Sequence, residues 1–248
     1  MTYCVAMRLK DGLLFASDSR TNAGVDHIAT FRKMHVFEVP GERTIIILTA
    51  GNLATTQSVV NLLQARTQQE LHHLLNVNSL YEAAILVGET AREVVSRDSQ
   101  GSGNVSMSQG VDFGGSFIVG GQIRGEAPRL FNVYPQCNFI EASEDTPYFQ
   151  IGESKYGKPI LDRVIQYDTP LEQALKCMLI SFDSTIRSNL SVGLPIDVLR
   201  CKTDAFARVK PYRIEENNAW FNRTRKAWST GLRKVFGQIP EADWFDQL

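Results

Sequence analysis

The amino-acid sequence predicts an α+β fold, a four-layer αββα sandwich in which two β-sheets pack face to face between two layers of helices. The first observation is the order of predicted elements along the chain: strands, two helices, strands, two helices, strands. The second is that two facing sheets with helices outside would bury every apolar face of these elements. The third is the length of 248 residues, which suits one domain with a large core.

The N-terminal block is predicted to consist of strands. Apolar residues alternate from Tyr3 to Leu9, and the pair Asp11-Gly12 favours a turn into a second strand. The chain therefore begins with a hairpin at its second residue, so we expect its N-terminus to be held in a sheet. The strands predicted in this block are residues 3–9, 13–17, 31–39 and 44–49.

Helices and strands alternate in the rest of the chain. A stretch rich in Ser, Gly and Asn at residues 99–110 predicts a surface loop between two of these blocks. The helices predicted from apolar spacing are residues 53–75, 80–96, 156–165 and a helix opened by Thr169-Pro170. The remaining predicted strands are residues 116–119, 130–134, 139–142, 196–202 and 207–214.

A C-terminal extension, residues 215–248, follows the predicted domain, which spans residues 1–214. It carries more large apolar side chains than a free tail exposes to water. We therefore expect a helical extension that packs on its own domain or on a neighbouring subunit. Its large apolar residues are Trp220, Phe221, Trp228, Val235, Phe236, Trp244 and Phe245.

The composition argues against several kinds of partner. Lys and Arg number 26 against 27 Asp and Glu, so no basic surplus is present to neutralise a phosphate backbone. No stretch approaches the roughly 20 apolar residues of a membrane span, and the N-terminus lacks the features of a signal peptide. The cysteines and histidines lack metal-ligand spacing. We therefore expect a cytoplasmic protein that uses no nucleic acid, membrane, metal or cofactor.

Thr2 becomes the N-terminal residue when Met1 is removed, as methionine aminopeptidases do before a small second residue. A free α-amino group has a pKa of about 7.7 to 8.0. It can serve as the general base for the hydroxyl of the same threonine. Because many proteins begin with Met-Thr, this observation alone does not distinguish an enzyme.

Three further motifs make the N-terminal region more specific. They are ASDSRTNAG at residues 16–24, RK at residues 32–33 and TAG at residues 49–51. In this order and at nearly this spacing they resemble the catalytic β-subunits of proteasomes, which are N-terminal nucleophile (Ntn) hydrolases. The resemblance covers residues 2–198, and within it the opening and residues 20–37 resemble the bacterial proteasome-like group called Anbu.

The resemblance implies roles for four residues. Thr2 is the nucleophile and the base, Asp18 pairs with Lys33, and Gly51 donates an oxyanion-hole N–H. The chemistry agrees, because a lysine ammonium stabilises a developing alkoxide and a neighbouring carboxylate keeps that lysine charged. A glycine lets the backbone approach the scissile carbonyl.

Each of these residues also has a structural interpretation. Asp18 could close a turn with Arg20, and Lys33 could be a solvated charge. Gly51 could simply form the turn between a strand and a helix. We favour the catalytic interpretation because all of them occur together with a threonine at position 2.

Two later segments depart from the family pattern, which has a Gly-Ser-Gly-type segment and then Asp-x-x-Ser-Gly. Glu153 or Ser154 stands at the earlier serine. Ser191 fits the later serine, whereas Ser188 stands in place of the aspartate. We expect Arg20, Ser188 and Ser191 to support the site, although Ser-rich and Asn-rich helix ends are also common caps.

The resemblance also implies where substrate and partners bind. Ser19, Thr21 and Asn22 follow Asp18 on a strand edge that would pair with an extended peptide. The expected function is a threonine-type endopeptidase in a ring or open spiral of identical subunits, acting on unfolded protein, with any ATPase being a separate protein. Two alternatives stay open: a weakly active or inactive scaffold subunit, and an Ntn amidase that hydrolyses a small-molecule amide.

Overall fold

The computed structural model describes residues 2–22, 28–69, 72–100 and 112–245. Within these residues the strands are β1 (Tyr3–Leu9), β2 (Gly12–Asp18), β3 (Arg20–Asn22), β4 (Ile28–Thr30), β5 (Met34–Val39), β6 (Arg43–Gly51), β7 (Gly115–Ile123), β8 (Arg129–Val133), β9 (Phe139–Glu141), β10 (Tyr148–Gly152), β11 (Ile196–Lys202) and β12 (Tyr212–Ile214). The helices are α1 (Leu53–Arg66), α2 (Leu80–Gln100), α3 (Lys158–Val164), α4 (Leu171–Ser188) and α5 (Ala219–Phe236).

Two five-stranded antiparallel sheets form the centre of the molecule. The first has the order β10-β1-β2-β11-β12 and the second the order β5-β6-β7-β8-β9, while β3 and β4 pair separately. Helices α3 and α4 cover the outer face of the first sheet, and α1 and α2 cover that of the second. The predicted four-layer αββα fold is therefore confirmed.

Three apolar cores separate the four layers. Tyr3 of β1 packs against Phe182 of α4 in the first core, with ring centroids 4.5 Å apart. Cys4 and Phe15 point the other way, into the core between the sheets. Because side chains alternate across a strand, β1 must be apolar on both faces to separate two cores. Each large side chain buried in this way contributes about 1.5–3 kcal/mol to stability.

Strand pairing fixes the N-terminal strand β1 between two other strands of the first sheet. β1 lies between β10 and β2, with Tyr3 opposite Gly152 and Cys4 opposite Ser17. The residue before Tyr3 is held as well, because the Glu153 N–H donates to the carbonyl oxygen of Thr2 at 2.6 Å. Thr2 is thus fixed at the end of a central strand.

Two predicted elements are much shorter in the structure. α1 ends at Arg66 and does not extend to residue 75, where side chains of His73 and Asn76 accept backbone N–H bonds that compete with a helix. β12 begins at Tyr212 instead of residue 207, because the Val209 N–H donates to a Glu38 carboxylate oxygen and so makes no ladder bond here.

Other differences concern strand limits and a loop. β5 begins at Met34, because the side chain of Lys33 turns inward just before it. β10 was not predicted, although Phe149 and Ile151 alternate as buried residues along it. In the predicted loop at residues 99–110, the first two residues belong to α2, and the rest lies outside the described residues.

The C-terminal helix α5 is attached to the domain through few side chains. Asn218 caps its N-terminus by accepting the Phe221 N–H at 2.9 Å, and Phe221 is the residue of α5 that enters the first core. Arg225 donates to the buried carboxylate of Asp183 at 2.6 Å. Large apolar side chains remain exposed on this helix and after it: Trp220, Leu232, Val235, Phe236, Ile239, Trp244 and Phe245. No helix in the described ranges is long and apolar enough to cross a membrane.

Alanine substitutions at two glycines with positive φ test how closely the strands of the second sheet pack. A Cβ at Gly121 would lie 2.0 Å from the carbonyl oxygen of Thr44, whereas one at Gly125 would meet nothing within 4 Å. We expect Gly125→Ala to lose about 1–3 kcal/mol through backbone strain alone. Gly121→Ala should lose about 1–3 kcal/mol more through overpacking. Denaturant unfolding followed by far-UV circular dichroism measures both losses, and equal losses would contradict the geometry.

Candidate active site

The site begins at Thr2, which is half-buried where the chain enters β1. Gly152 lies directly against it with φ +82°, and a Cβ there would stand 2.1 Å from the Thr2 carbonyl oxygen. On the other side, the Tyr3 N–H donates to the Asp18 carboxylate at 3.0 Å. The backbone around Thr2 is therefore bonded to β10 and to the end of β2.

A buried ion pair lies beside this backbone. Lys33 Nζ is 2.7 Å from Asp18 Oδ1, and the two side chains are 4% and 0% exposed. Lys33 also donates to the carbonyl oxygen of Arg20 at 2.7 Å. Burial raises the pKa of Asp18, and the Lys33 ammonium and the N–H groups of Tyr3 and Gly193 oppose that rise. The pair holds a lysine charge close to the threonine.

The three residues after Asp18 make different contacts with the protein. Ser19 is fully buried, and its hydroxyl donates to the Pro195 carbonyl oxygen at 2.7 Å. The guanidinium of Arg20 donates to the Leu190 carbonyl oxygen at 3.3 Å and covers Gly193. The hydroxyl of Thr21 is buried and has no hydrogen-bond partner among the residues that the structure describes. Arg20 thus connects the site to the turn after α4, whereas the Ser19 hydroxyl is taken up by the protein itself.

Asn22 lies in β3, and that strand pairs with β4 through the register Thr21 to Ala29. In the described residues β3 pairs on this side only. The backbone N–H and C=O groups on its other edge therefore pair with no strand of the described part.

Gly51 ends β6 and is exposed. Its φ is +106°, and a Cβ there would lie 2.5 Å from the Gly114 carbonyl oxygen, so the position requires glycine. The next residue, Asn52, caps α1 by accepting the N–H groups of Ala54 and Thr55. The turn between β6 and α1 is therefore sharply defined.

The later segments reach the site through a residue that sequence reasoning did not select. Ser188 is the last residue of α4 and is exposed. Asn189 is buried, and its amide donates to a carboxylate oxygen of Glu153 at 2.9 Å. The Ser191 N–H donates to the side-chain amide oxygen Oδ1 of Asn189 at 3.0 Å. The helix end is thus joined to β10 through an asparagine and a glutamate.

Gly152, Asn189 and Gly193 also belong to this arrangement but were not predicted as site residues. A glycine after a buried alternating pair was a usable signal for Gly152, since glycine marks close backbone approach. Within the part of the chain that the structure describes, no group of three or more His, Cys, Asp or Glu side chains is placed to hold a metal ion.

The fold has two facing sheets, a threonine at the start of an interior strand and a buried Asp–Lys pair beside that threonine. These features together match the proteasome-type subunits that the sequence motifs resemble. The sequence profile described as "Proteasome subunit" matches residues 2–199, and the chain therefore belongs to the proteasome subunit family. A curated relative, proteasome subunit beta 2 of Nitrosopumilus maritimus, is 24% identical over 211 residues, covering 83% of this chain and 88% of the relative.

Within that family the chain is similar to solved Anbu structures. It is 60% identical to Anbu (ancestral beta-subunit) from Yersinia bercovieri, over 98% of this chain and 100% of that one, with a TM-score of 0.91. It is 57% identical to the Anbu chain solved as a helical assembly from Pseudomonas aeruginosa, over 97% and 98% of the two chains, with a TM-score of 0.92. The resemblance inferred from the sequence motifs is confirmed.

Stability measurements test the buried ion pair. Lys33→Met removes the partner of a fully buried carboxylate and should cost about 3–5 kcal/mol of unfolding free energy. The matched control is Lys158→Met, whose lysine pairs with Asp162 at a similar 2.8 Å but with both side chains about half exposed. That change should cost at most about 1 kcal/mol. Equal losses in urea denaturation would show that the Asp18–Lys33 pair is not a buried one.

Proposed function

We propose that this chain is a threonine-type Ntn peptidase that works in an assembly of identical subunits. The observation that supports this most is the position of the 2.7 Å Lys33–Asp18 pair beside the backbone of Thr2. The peptide group between Thr2 and Tyr3 is bonded through both its carbonyl oxygen and its N–H, so the backbone that carries the Thr2 hydroxyl is held in place. Confinement of this kind lowers the entropic part of a reaction barrier.

The proposed reaction begins with removal of Met1, which frees the α-amino group of Thr2. The amine takes the hydroxyl proton as Thr2 Oγ bonds to the scissile carbonyl carbon, while the Lys33 ammonium stabilises the developing negative charge on Oγ. The Gly51 N–H donates to the oxyanion of the tetrahedral intermediate. The protonated amine then gives its proton to the leaving nitrogen as the C–N bond breaks, and water hydrolyses the acyl ester.

Substrate would bind as an extended strand along β3. Its edge opposite β4 is unpaired in the described residues, so a peptide can add through backbone hydrogen bonds. Thr21 and Asn22 lie on this strand. Because backbone groups carry the binding, we expect unfolded chains and peptides as substrates. An unfolding ATPase would be a separate protein, and the cytoplasm is the expected compartment.

Assembly would use the exposed apolar side of α5 and the residues after it. The similar Pseudomonas aeruginosa protein was solved as a helical assembly, which supports an assembly of identical subunits here, with a ring or an open spiral as the expected form. Phe236 is 77% exposed and Ile239 is 61% exposed, an arrangement that favours burial against another copy. The extension at residues 215–248 is therefore proposed to bind a neighbouring subunit.

A second candidate is a scaffold subunit with weak or no activity. The specific observation in its favour is Ser188, which stands where the resemblance expects an aspartate and lies exposed at the end of α4. A helix end without that carboxylate gives less support to the Thr2 amine.

Intact mass measured before and after incubation with a peptide epoxyketone tests the nucleophile. The wild-type protein should lack Met1 and gain one inhibitor, Thr2→Ser should gain it more slowly, and Thr2→Ala should gain none. Retention of Met1, or labelling that survives Thr2→Ala, would count against the peptidase. Hydrolysis of small amides with peptides inert would instead favour the amidase.

Light scattering tests the assembly surface. Phe236→Glu places a charge on the proposed interface and should lower the particle mass, because burying an unpaired charge is unfavourable. Val164→Glu is the matched control, since Val164 is also exposed, at 49%, but lies on α3. An unchanged mass for Phe236→Glu would remove α5 from the proposed interface.

A further inference from the structure

One buried carboxylate next to Thr2 has no part in the reaction proposed above. Glu153 is 7% exposed and follows β10 directly. Its N–H donates to the Thr2 carbonyl oxygen at 2.6 Å, which places the residue against the nucleophile. Its side chain is separately fixed, by the Asn189 amide at 2.9 Å and by the Lys155 N–H at 2.8 Å.

We infer that Glu153 is a positioning residue, whose carboxylate, held by Asn189, keeps a negative charge beside the α-amine of Thr2 and so sets the protonation of that amine. The inference rests on the proposed function of Thr2 as nucleophile and base. Glu153 provides a carboxylate from the end of β10. At the end of α4, where the resemblance expects an aspartate, the chain has the exposed Ser188 instead.

The carboxylate of Glu153 is ionised at neutral pH. Burial acts to raise its pKa, but hydrogen bonds from the Lys155 N–H, the Asn189 amide and the Ser154 N–H, with the Lys155 charge, outweigh burial and leave the pKa below its ordinary value. All three hydrogen-bonding groups are neutral, so they stabilise the negative charge without cancelling it. The Lys155 ammonium is exposed and acts on Glu153 only as a nearby charge.

The charges around the amine then have a definite balance. Lys33 and Asp18 lie on one side and largely cancel each other as a contact pair. Glu153 is bonded to the Thr2 carbonyl oxygen on the β10 side of β1, opposite the β2 side that carries Asp18, and the exposed Lys155 lies next to it. The Arg20 guanidinium lies against the turn after α4. Because an opposite charge raises the proton affinity of an amine, Glu153 favours the protonated form. That form is the one that must protonate the leaving nitrogen.

The hydrogen-bonding role of Glu153 can be separated from its charge by substitution. Glu153 and Asn189 join the end of β10 to the end of α4, and the same Glu153 donates its N–H to Thr2. Glu153→Asp keeps the negative charge and shortens the side chain, whereas Glu153→Gln keeps the shape and removes the charge.

The test is a pH titration of the Thr2 amine in the full-length protein, read by its acetylation rate with acetic anhydride and located on Thr2 by mass spectrometry of the N-terminal peptide. Glu153→Gln should move the midpoint down by about 0.5–1 pH unit, since solvent reaches this half-buried site. Glu153→Asp should titrate close to wild type, and so should Glu144→Gln, an exposed glutamate in the loop before β10. An unmoved midpoint in Glu153→Gln, or an equal shift in Glu153→Asp, overturns the inference.

Labelling by the epoxyketone separates this inference from the proposed function. If wild type labels at Thr2, the acidic limb of its rate profile should shift downward in Glu153→Gln by the amount that the amine titration gives. Labelling of wild type with no shift in the variant refutes the role of Glu153 alone. Absence of labelling in wild type refutes the proposed function, while the amine titration still decides whether Glu153 controls the amine.

Discussion

The carboxylate of Asp18 is the contact on which the site depends, because separate parts of the chain meet at it. It accepts hydrogen bonds from Lys33, from the backbone of Tyr3 and, at 3.4 Å, from the backbone of Gly193. A carboxylate taken out of water is stable only when its acceptors are filled in this way. Loss of the lysine would therefore disturb the N-terminus and the turn after α4 together, as well as the charge itself.

The layered fold provides the rigidity that this carboxylate needs. β1 and β2 lie in the middle of the first sheet and are apolar on both faces, since one face meets helices and the other meets the second sheet. Close-packed interiors of this kind resist displacement. Thr2 and Asp18 lie at the margin of the core. They are held rigidly because each is attached to the end of one of these packed strands. A site built on strand ends is more precise than one built on loops.

Sequence reasoning recovers the features that are local or periodic. The alternation of residues 3–9 and the helical spacing later in the chain are enough to predict the four layers, which the structure confirms. Asp18 and Lys33 were found because family motifs are short and contiguous. The Glu153–Asn189 bond joins residues 36 positions apart and follows no spacing rule, so only the folded structure reveals it. The sequence does not predict β10, because turn residues on both sides, Pro147 before it and Gly152 at its end, leave only a short apolar run that resembles a loop.

The pairing partners of β1 have a consequence for when the site can exist during synthesis. Asp18 and Gly193, which meet at the carboxylate, are separated by 175 residues, and β10 and β11 also come late in the chain. Contacts of such long range form slowly and only after the distant segments have left the ribosome. The nascent chain therefore carries Thr2 through most of translation without the ion pair and the β10 contact beside it, so the reaction proposed for Thr2 requires the completed fold.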